Sequence, residues 1–159
     1  MIIEQASLED APAVLALQKA AYRSEAEIYG NYSIPPLTQT LDEIEVDFRS
    51  QLVLKASIEG RVVGSVRGYA DGGTCFIGRL VVYPEFQNQG IGSQLMEEIE
   101  TRFGHAERFE LFTGNKSERN LRFYRKRGYE VFKTESVTGT LTLVYLEKRC
   151  GALTRTGTP

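Results

Sequence analysis

The strongest constraint on this chain is a change of hydrophobic period near its middle. Leu52, Leu54, Ala56 and Ile58 alternate, as along a half-buried strand. Glu59-Gly60 turns the chain into a second extended segment, Arg61–Tyr69, and Asp71-Gly72-Gly73 turns it into a third, Thr74–Tyr83. Turns this tight join antiparallel neighbours, so the three segments predict a meander. The apolar residues then fall four apart, at Ile91, Leu95, Ile99 and Phe103, a helical stripe of about 15 residues. Phe109, Leu111 and Thr113 alternate again. A strand–helix–strand crossover within one sheet is right-handed and leaves its two strands parallel. A mostly antiparallel sheet with one parallel pair is therefore expected before any motif is considered.

The flanks complete the pattern. Met1–Ala6 predicts a short first strand. Ser7 or Asp10 caps a helix in which Val14, Leu17 and Ala21 share one face, and Pro12 favours the later start because proline is tolerated only in the first turn. Tyr29–Pro36 reads as a loop, with Pro35-Pro36 expected to block helix. Thr40 and Glu43 match a capping box, with Leu37, Leu41, Ile44 and Phe48 at helical spacing. Ser117 is expected to cap a short helix that ends at Gly128, with Arg125, Lys126 and Arg127 in its last turn. Tyr129–Glu135 and Leu141–Glu147 predict a closing hairpin around Thr138-Gly139-Thr140. The expected order is βααβββαβαββ, an α+β or mixed α/β domain over residues 1–149 with a C-terminal tail, 150–159. A length of 159 residues suits one domain with a core that needs no staple.

Composition removes several chemistries. The single histidine, His105, cannot build a multi-histidine zinc site, and Cys75 and Cys150 form no Cys-x-x-Cys pair, so no metal is expected. No Gly-x-Ser-x-Gly elbow exists to serve a Ser-His-Asp triad. His105 reads as a solvated residue at a helix end. The apolar runs are too short to span a bilayer, so no membrane is expected. Met-Ile-Ile-Glu lacks a basic leader, which predicts a cytoplasmic protein with free thiols.

The net charge of −2 hides an asymmetry. Residues 1–60 hold ten acids and four bases, 4 − 10 = −6, whereas 107–127 hold seven bases and three acids, 7 − 3 = +4. Two solvated helix faces would explain this, and so would a basic side for an anionic cofactor and an acidic side for a cation. Nucleic-acid binding through 107–127 ranks last. The overall charge is negative, no RNA or DNA fold signature is present, and the nearby aromatics fall on expected core faces.

The segment Leu80-Val81-Val82-Tyr83-Pro84-Glu85-Phe86-Gln87-Asn88-Gln89-Gly90-Ile91-Gly92-Ser93 runs from strand through a glycine turn into a helix. A helix N-terminus offers unpaired N–H groups and partial positive charge, and Gly90 and Gly92 let the backbone approach an anion. The dinucleotide fingerprint fails at Leu95, and no P-loop Gly-Lys-Ser/Thr is present. Gln87-x-x-Gly90-x-Gly92 after Leu80-x-Val82 resembles the acyl-CoA pyrophosphate loop of the GNAT superfamily of N-acetyltransferases. The later run Thr113–Tyr129, with Tyr124 followed by Gly128-Tyr129, resembles that family's second motif. The predicted element order matches the same fold across Met1–Arg149.

The resemblance implies acetyl transfer from acetyl-CoA to a primary amine of a small molecule, a peptide N-terminus or a lysine, by direct attack through a tetrahedral intermediate. It implies that Leu80, Val81 and Val82 pair with the pantetheine arm in a gap between the Thr74–Tyr83 and Glu107–Thr113 strands. Gln87, Asn88, Gln89, Gly90, Ile91, Gly92 and Ser93 would then grip the pyrophosphate, and the bases of 107–127 would suit the remaining phosphate. Many family members carry asparagine where this chain has Ser117. Asn120, one turn later, is taken as the candidate arm contact. Tyr124 is the candidate general acid for the departing thiolate, and it would also contact the cofactor. The base is open among Tyr22, Glu25, Glu27, Tyr29 and Tyr32, with Tyr69 and Arg79 as further wall residues. The competing reading is a catalytically silent acyl-CoA-binding module. The tail is expected to fray unless a neighbouring chain holds it, which leaves a homodimer open.

Overall fold

The computed structural model describes residues 1–150. Strands β1 (Ile2–Gln5), β2 (Leu52–Ile58), β3 (Arg61–Asp71), β4 (Thr74–Val82), β5 (Arg108–Gly114), β6 (Glu130–Ser136) and β7 (Thr142–Arg149) form one sheet in the order β1-β2-β3-β4-β5-β7-β6. The meander β2-β3-β4 is antiparallel throughout. Both of its turns carry two consecutive positive φ angles, Glu59 +49° with Gly60 +80° and Gly72 +59° with Gly73 +84°. That is the turn whose twist matches flanking strands. Helix α4 (Ile91–Arg102) makes the crossover, and β4 and β5 are the one parallel pair among the described residues. The β6–β7 hairpin closes the sheet antiparallel to β5. The mixed, mostly antiparallel architecture expected from the sequence is present, and the expected tail beyond Cys150 lies outside the described residues.

The core lies beneath α4, where Leu95, Met96 and Ile99 meet Leu54, Val66, Cys75, Leu111 and Leu146. Each large side chain removed from water there contributes about 1.5–3 kcal/mol. The close approach of helix to sheet depends on Gly64. A Cβ at Gly64 would come within 3.0 Å of Leu95 and 3.1 Å of Ile91. A smaller cluster of Ala11, Val14 and Ile44 joins helices α1 (Ala11–Tyr29) and α3 (Leu41–Ser50).

Three local expectations change. Pro35-Pro36 does not block helix but opens a short one, α2 (Pro35–Thr38). The prolines occupy the first two helical positions, where a backbone N–H has no intrahelical acceptor to lose. Leu37 therefore belongs to α2, and α3 starts after the Thr40–Glu43 capping box. There the Thr40 hydroxyl accepts from the Glu43 N–H at 3.2 Å, and the Glu43 carboxylate accepts from the Thr40 N–H at 2.9 Å. Asp10 occupies the N-cap position of α1, with the later start that Pro12 favours, but its carboxylate turns back to the Ser7 N–H at 2.8 Å across a 3-10 turn, Leu8–Asp10, and makes no cap bond to α1. Ser117 precedes helix α5 (Glu118–Lys126) but makes no side-chain cap, because its hydroxyl is engaged elsewhere.

Candidate active site

The middle of the sheet is its weakest seam. β4 and β5 pair only at Thr74–Phe76 with Arg108–Glu110, although each strand continues for several residues. Beyond that point β4 is bent by a bulge. Its register against β3 shifts between Ser65 and Arg67, and Arg79 takes a left-handed φ of +51°. A bulge re-aims side chains, and here neighbours in sequence line different cavities. Leu80 lines a cleft toward α4 and α5, and Arg79 lines a cavity toward α2 and α3.

The first cleft, about 350 Å³, collects most of the predicted cofactor residues. Leu80, Val82, Gln87, Asn88, Gly90, Ile91, Gly92, Ser93 and Asn120 all line it. Val81, Gln89 and Tyr124 do not line it. Val81 is buried, Gln89 is exposed and Tyr124 is packed in the core. Phe86, Arg119, Arg122, Phe123 and Lys126 complete the wall and were not singled out from the sequence. A signal for four of them existed. Arg119, Arg122, Phe123 and Lys126 stand at i, i+3, i+4 and i+7, one face of a helix.

The loop before α4 is shaped to expose backbone donors. Gly90 caps the helix in the left-handed region, φ +84°, with no capping side chain, so the first N–H groups are not covered. Asn88 also takes a positive φ, +64°. Gln87 folds back to donate to the Val82 carbonyl at 3.2 Å. Arg119 donates to the Gln87 side-chain oxygen and, at 3.2 Å, to that of Asn88, tying α5 to the loop. The seven bases of 107–127 now separate. Arg108 is held by Glu110 and Glu147, both at 2.9 Å, and Arg127 by Glu100 at 3.7 Å. Arg119, Arg122 and Lys126 line the cleft with no carboxylate partner among the described residues. A bare helix N-terminus beside three such cations fits a polyphosphate.

A polar network runs from α1 to the start of α5. The Ser117 hydroxyl lies 2.7 and 2.9 Å from the two Glu25 oxygens, and the Asn120 amide donates to Glu25 at 2.9 Å. Asn120 also donates to the Thr113 hydroxyl at 3.3 Å. Tyr29 is buried, accepts from the Lys116 N–H at 2.8 Å and bonds the Ser117 hydroxyl at 3.0 Å. Ser117 and Asn120 thus serve the same carboxylate, and of the two only Asn120 also reaches the cleft wall. Tyr124 packs edge-on against Phe123 and Tyr129. Burial holds its phenol above the usual range, and Tyr22 and Glu25 raise it further. Tyr22 is raised by burial too, against the opposing pull of Arg79.

Of the predicted acceptor wall, Tyr22 and Glu25 lie near Tyr124, and Arg79 lies near Tyr22. Glu27 and Tyr32 are exposed, and Tyr69 stacks on Phe76 with ring centroids 5.2 Å apart. His105 is exposed in the turn after α4. Cys75 and Cys150 are free thiols. Among the described residues no helix is long and apolar enough to cross a membrane.

Residues 13–129 match the family model described as Acetyltransferase (GNAT) family. The chain is 26% identical over 133 residues to the UPF0157 protein YqkA of Bacillus subtilis (strain 168); the match covers 83% of this chain and 38% of that protein. The chain therefore spans well under half the length of this curated relative. Solved structures share the fold. The PaiA N-acetyltransferase from Thermoplasma acidophilum in complex with coenzyme A superposes with a TM-score of 0.76 at 19% identity, covering 94% of this chain and 100% of that one. The ribosomal-protein-S18-alanine N-acetyltransferase from Escherichia coli gives 0.77 at 13% identity, with 93% and 92% covered. The structure of yncA from Salmonella typhimurium, a putative acetyltransferase with its cofactor acetyl-CoA, gives 0.73 at 17% identity, with 94% and 93% covered. With the family model spanning most of its length, the chain belongs to the GNAT superfamily of acetyltransferases.

Proposed function

We propose that this protein transfers an acetyl group from acetyl-CoA to a primary amine. The observation that carries this reading is the uncapped N-terminus of α4, flanked by Arg119, Arg122 and Lys126, opening beside the gap between β4 and β5. Two of the similar structures hold coenzyme A or acetyl-CoA, which supports acyl-CoA as the donor here. Asn88, Gly90, Ile91, Gly92 and Ser93 would hold the pyrophosphate, with the three cations on the remaining phosphate charge. Leu80, Val82 and Asn120 would line the path of the arm. When bound, acetyl-CoA supplies an activated thioester carbonyl. The edge of β4 around Leu80–Val82, unpaired with β5, presents backbone donors to polarise that carbonyl, a stabilisation worth a few kcal/mol per donor in such sites.

The remaining work is proton management. A lysine-like amine with pKa about 10.4 costs about 4.6 kcal/mol to present neutral at pH 7. Glu25, held by Ser117 and Asn120, is the carboxylate placed to take that proton directly or through a water. Tyr124 holds its proton at neutral pH because burial disfavours its anion. Full transfer to a thiolate runs uphill by at least about 2 kcal/mol, from the ordinary phenol and thiol values of about 10 and 8.5. Its part is to place a hydrogen bond on the sulfur as charge develops. Tyr124→Phe is expected to lower kcat far more than acetyl-CoA affinity, measured by CoA release and calorimetry. An unchanged kcat would remove Tyr124 from the mechanism. Acetyl-CoA binding without CoA release from any amine would mark a silent acyl-CoA-binding module instead.

A further inference from the structure

We infer that the amine acceptor also carries a carboxylate, and that Arg79, backed by the buried Arg67, recognises it in the cavity beside α2 and α3. The inference rests on the acetyltransferase reading and narrows its acceptor. Arg67 on β3 is 7% exposed at its side chain. One terminal nitrogen reaches Asp47 at 3.0 Å, and the other is buried with no partner. Arg79 lines the cavity, about 390 Å³, and its buried Nε also has no partner. Asp47 is a shared resource, since the oxygen that meets Arg67 also accepts from Gln39 at 2.6 Å.

Glu43 and Asp47 also line the cavity, so the charges there balance, but two guanidinium N–H groups remain buried without an acceptor. Burial draws the pKa of Arg67 down to about 10, and the nearby Arg79 lowers it further in the same direction. Buried charged donors are costly to leave unmet, and a carboxylate answers a guanidinium with two parallel acceptors. The bulge that gives Arg79 its positive φ turns it into this cavity, while Leu80 lines the opposite cleft. A molecule anchored by its acid at Arg79 lies on the side of β4 away from the phosphate cleft, with Tyr22 beside the anchor and Glu25 next along. The net charge of −6 over residues 1–60 suggests a simple cation as acceptor, but the unmet guanidinium donors ask for a hydrogen-bond-accepting acid at one end of it.

The test is CoA release by the whole protein with acetyl-CoA and matched amines that differ only in a free acid or its primary amide: glycine and glycinamide, β-alanine and β-alaninamide, 4-aminobutyrate and its amide. Aminomethylphosphonate stands beside glycine to separate a carboxylate from a phosphate-like group. Neutralising the acid makes a nearby amine less basic, so an amine pKa effect would favour the amides. At least one acid is expected to exceed its amide about tenfold or more in kcat/KM, and Arg79→Gln is expected to bring that ratio to within about threefold of unity. Melting temperature and acetyl-CoA titration report whether the variant folds. Acids and amides within threefold in every pair, a ratio that survives in Arg79→Gln, or a phosphonate that outruns glycine would each overturn the inference. If no amine is turned over, the acetyltransferase reading fails by itself. The anchor is then decided by thermal shift with acetate, propionate and succinate at constant ionic strength. A rise in Tm for the wild type that is lost in Arg79→Gln supports it, and equal shifts in both overturn it.

Discussion

A methyl group added at Gly114 would land on the hydroxyl end of Tyr29, with the ring edge at 2.9 Å. Gly114 has no positive φ, so alanine meets no backbone penalty there and the whole effect comes from this collision. Two terms add. Forcing an oversized group into a packed site costs about 1–3 kcal/mol. Displacing the Tyr29 hydroxyl leaves the Lys116 N–H, now bonded at 2.8 Å, without its acceptor, for about another 1–3 kcal/mol. Gly114→Ala should therefore cost about 4 kcal/mol, a fall in Tm of about 8–16 °C for a chain of this size. Thermal and urea unfolding of a double-mutant cycle isolates the cause. In a Tyr29→Leu background the methyl meets no aromatic end, and its cost should drop below about 1 kcal/mol. Equal costs in the two backgrounds, or less than about 1 kcal/mol in the wild type, would refute the reasoning.

Two further outcomes follow from other parts of the structure. Arg119→Ala should weaken acetyl-CoA binding about tenfold or more in calorimetry, and Arg119→Lys should recover only part of it, because lysine lacks the planar fork that reaches Gln87 and Asn88 from two separate nitrogens; full recovery by lysine would reduce Arg119 to a point charge. Alkaline pH should destabilise the fold. Burial first, then Glu100 and Cys150, raise Cys75 to about 12, and burial lifts Tyr124 and Tyr129 above the usual phenol value. Groups raised in the folded state add stability that is complete below their unfolded values and lost as pH climbs toward the folded ones. The urea midpoint should hold to about pH 9 and fall from there toward pH 12, and a flat midpoint to pH 11 would contradict it.

What could be read from the sequence was governed by local physics. The meander, the α4 stripe and the Thr40–Glu43 box were legible because each is decided by residues a few positions apart. The strand–turn–helix that lines the cleft was legible for the same reason. Ser117 was not, because the choice between capping α5 and joining Glu25 is made by a residue 92 positions away. The prolines of α2 misled because the same residue that breaks a helix interior suits its first turn. Which bases face the cleft could have been found from the helical spacing of Arg119, Arg122 and Lys126. That Arg108 and Arg127 are also spent on Glu147 and Glu100 could not, since those partners lie on other elements, whereas Glu110 sits two residues from Arg108 on the same strand. No local signal marks Arg79 as the bulge residue, or Arg67 as its buried neighbour.

The three-residue seam between β4 and β5 makes this sheet two panels rather than one plate. One panel is β1 to β4 and the other is β5, β7 and β6, and α4 is the covalent strap from the first to the second. An extended ligand laid along the seam acts as a rivet between them. If the proposed arm lies there, loading the protein and stiffening it would become a single event, and product would leave only as fast as the panels part. The pace of turnover would be written in the breathing of that joint as much as in any proton transfer.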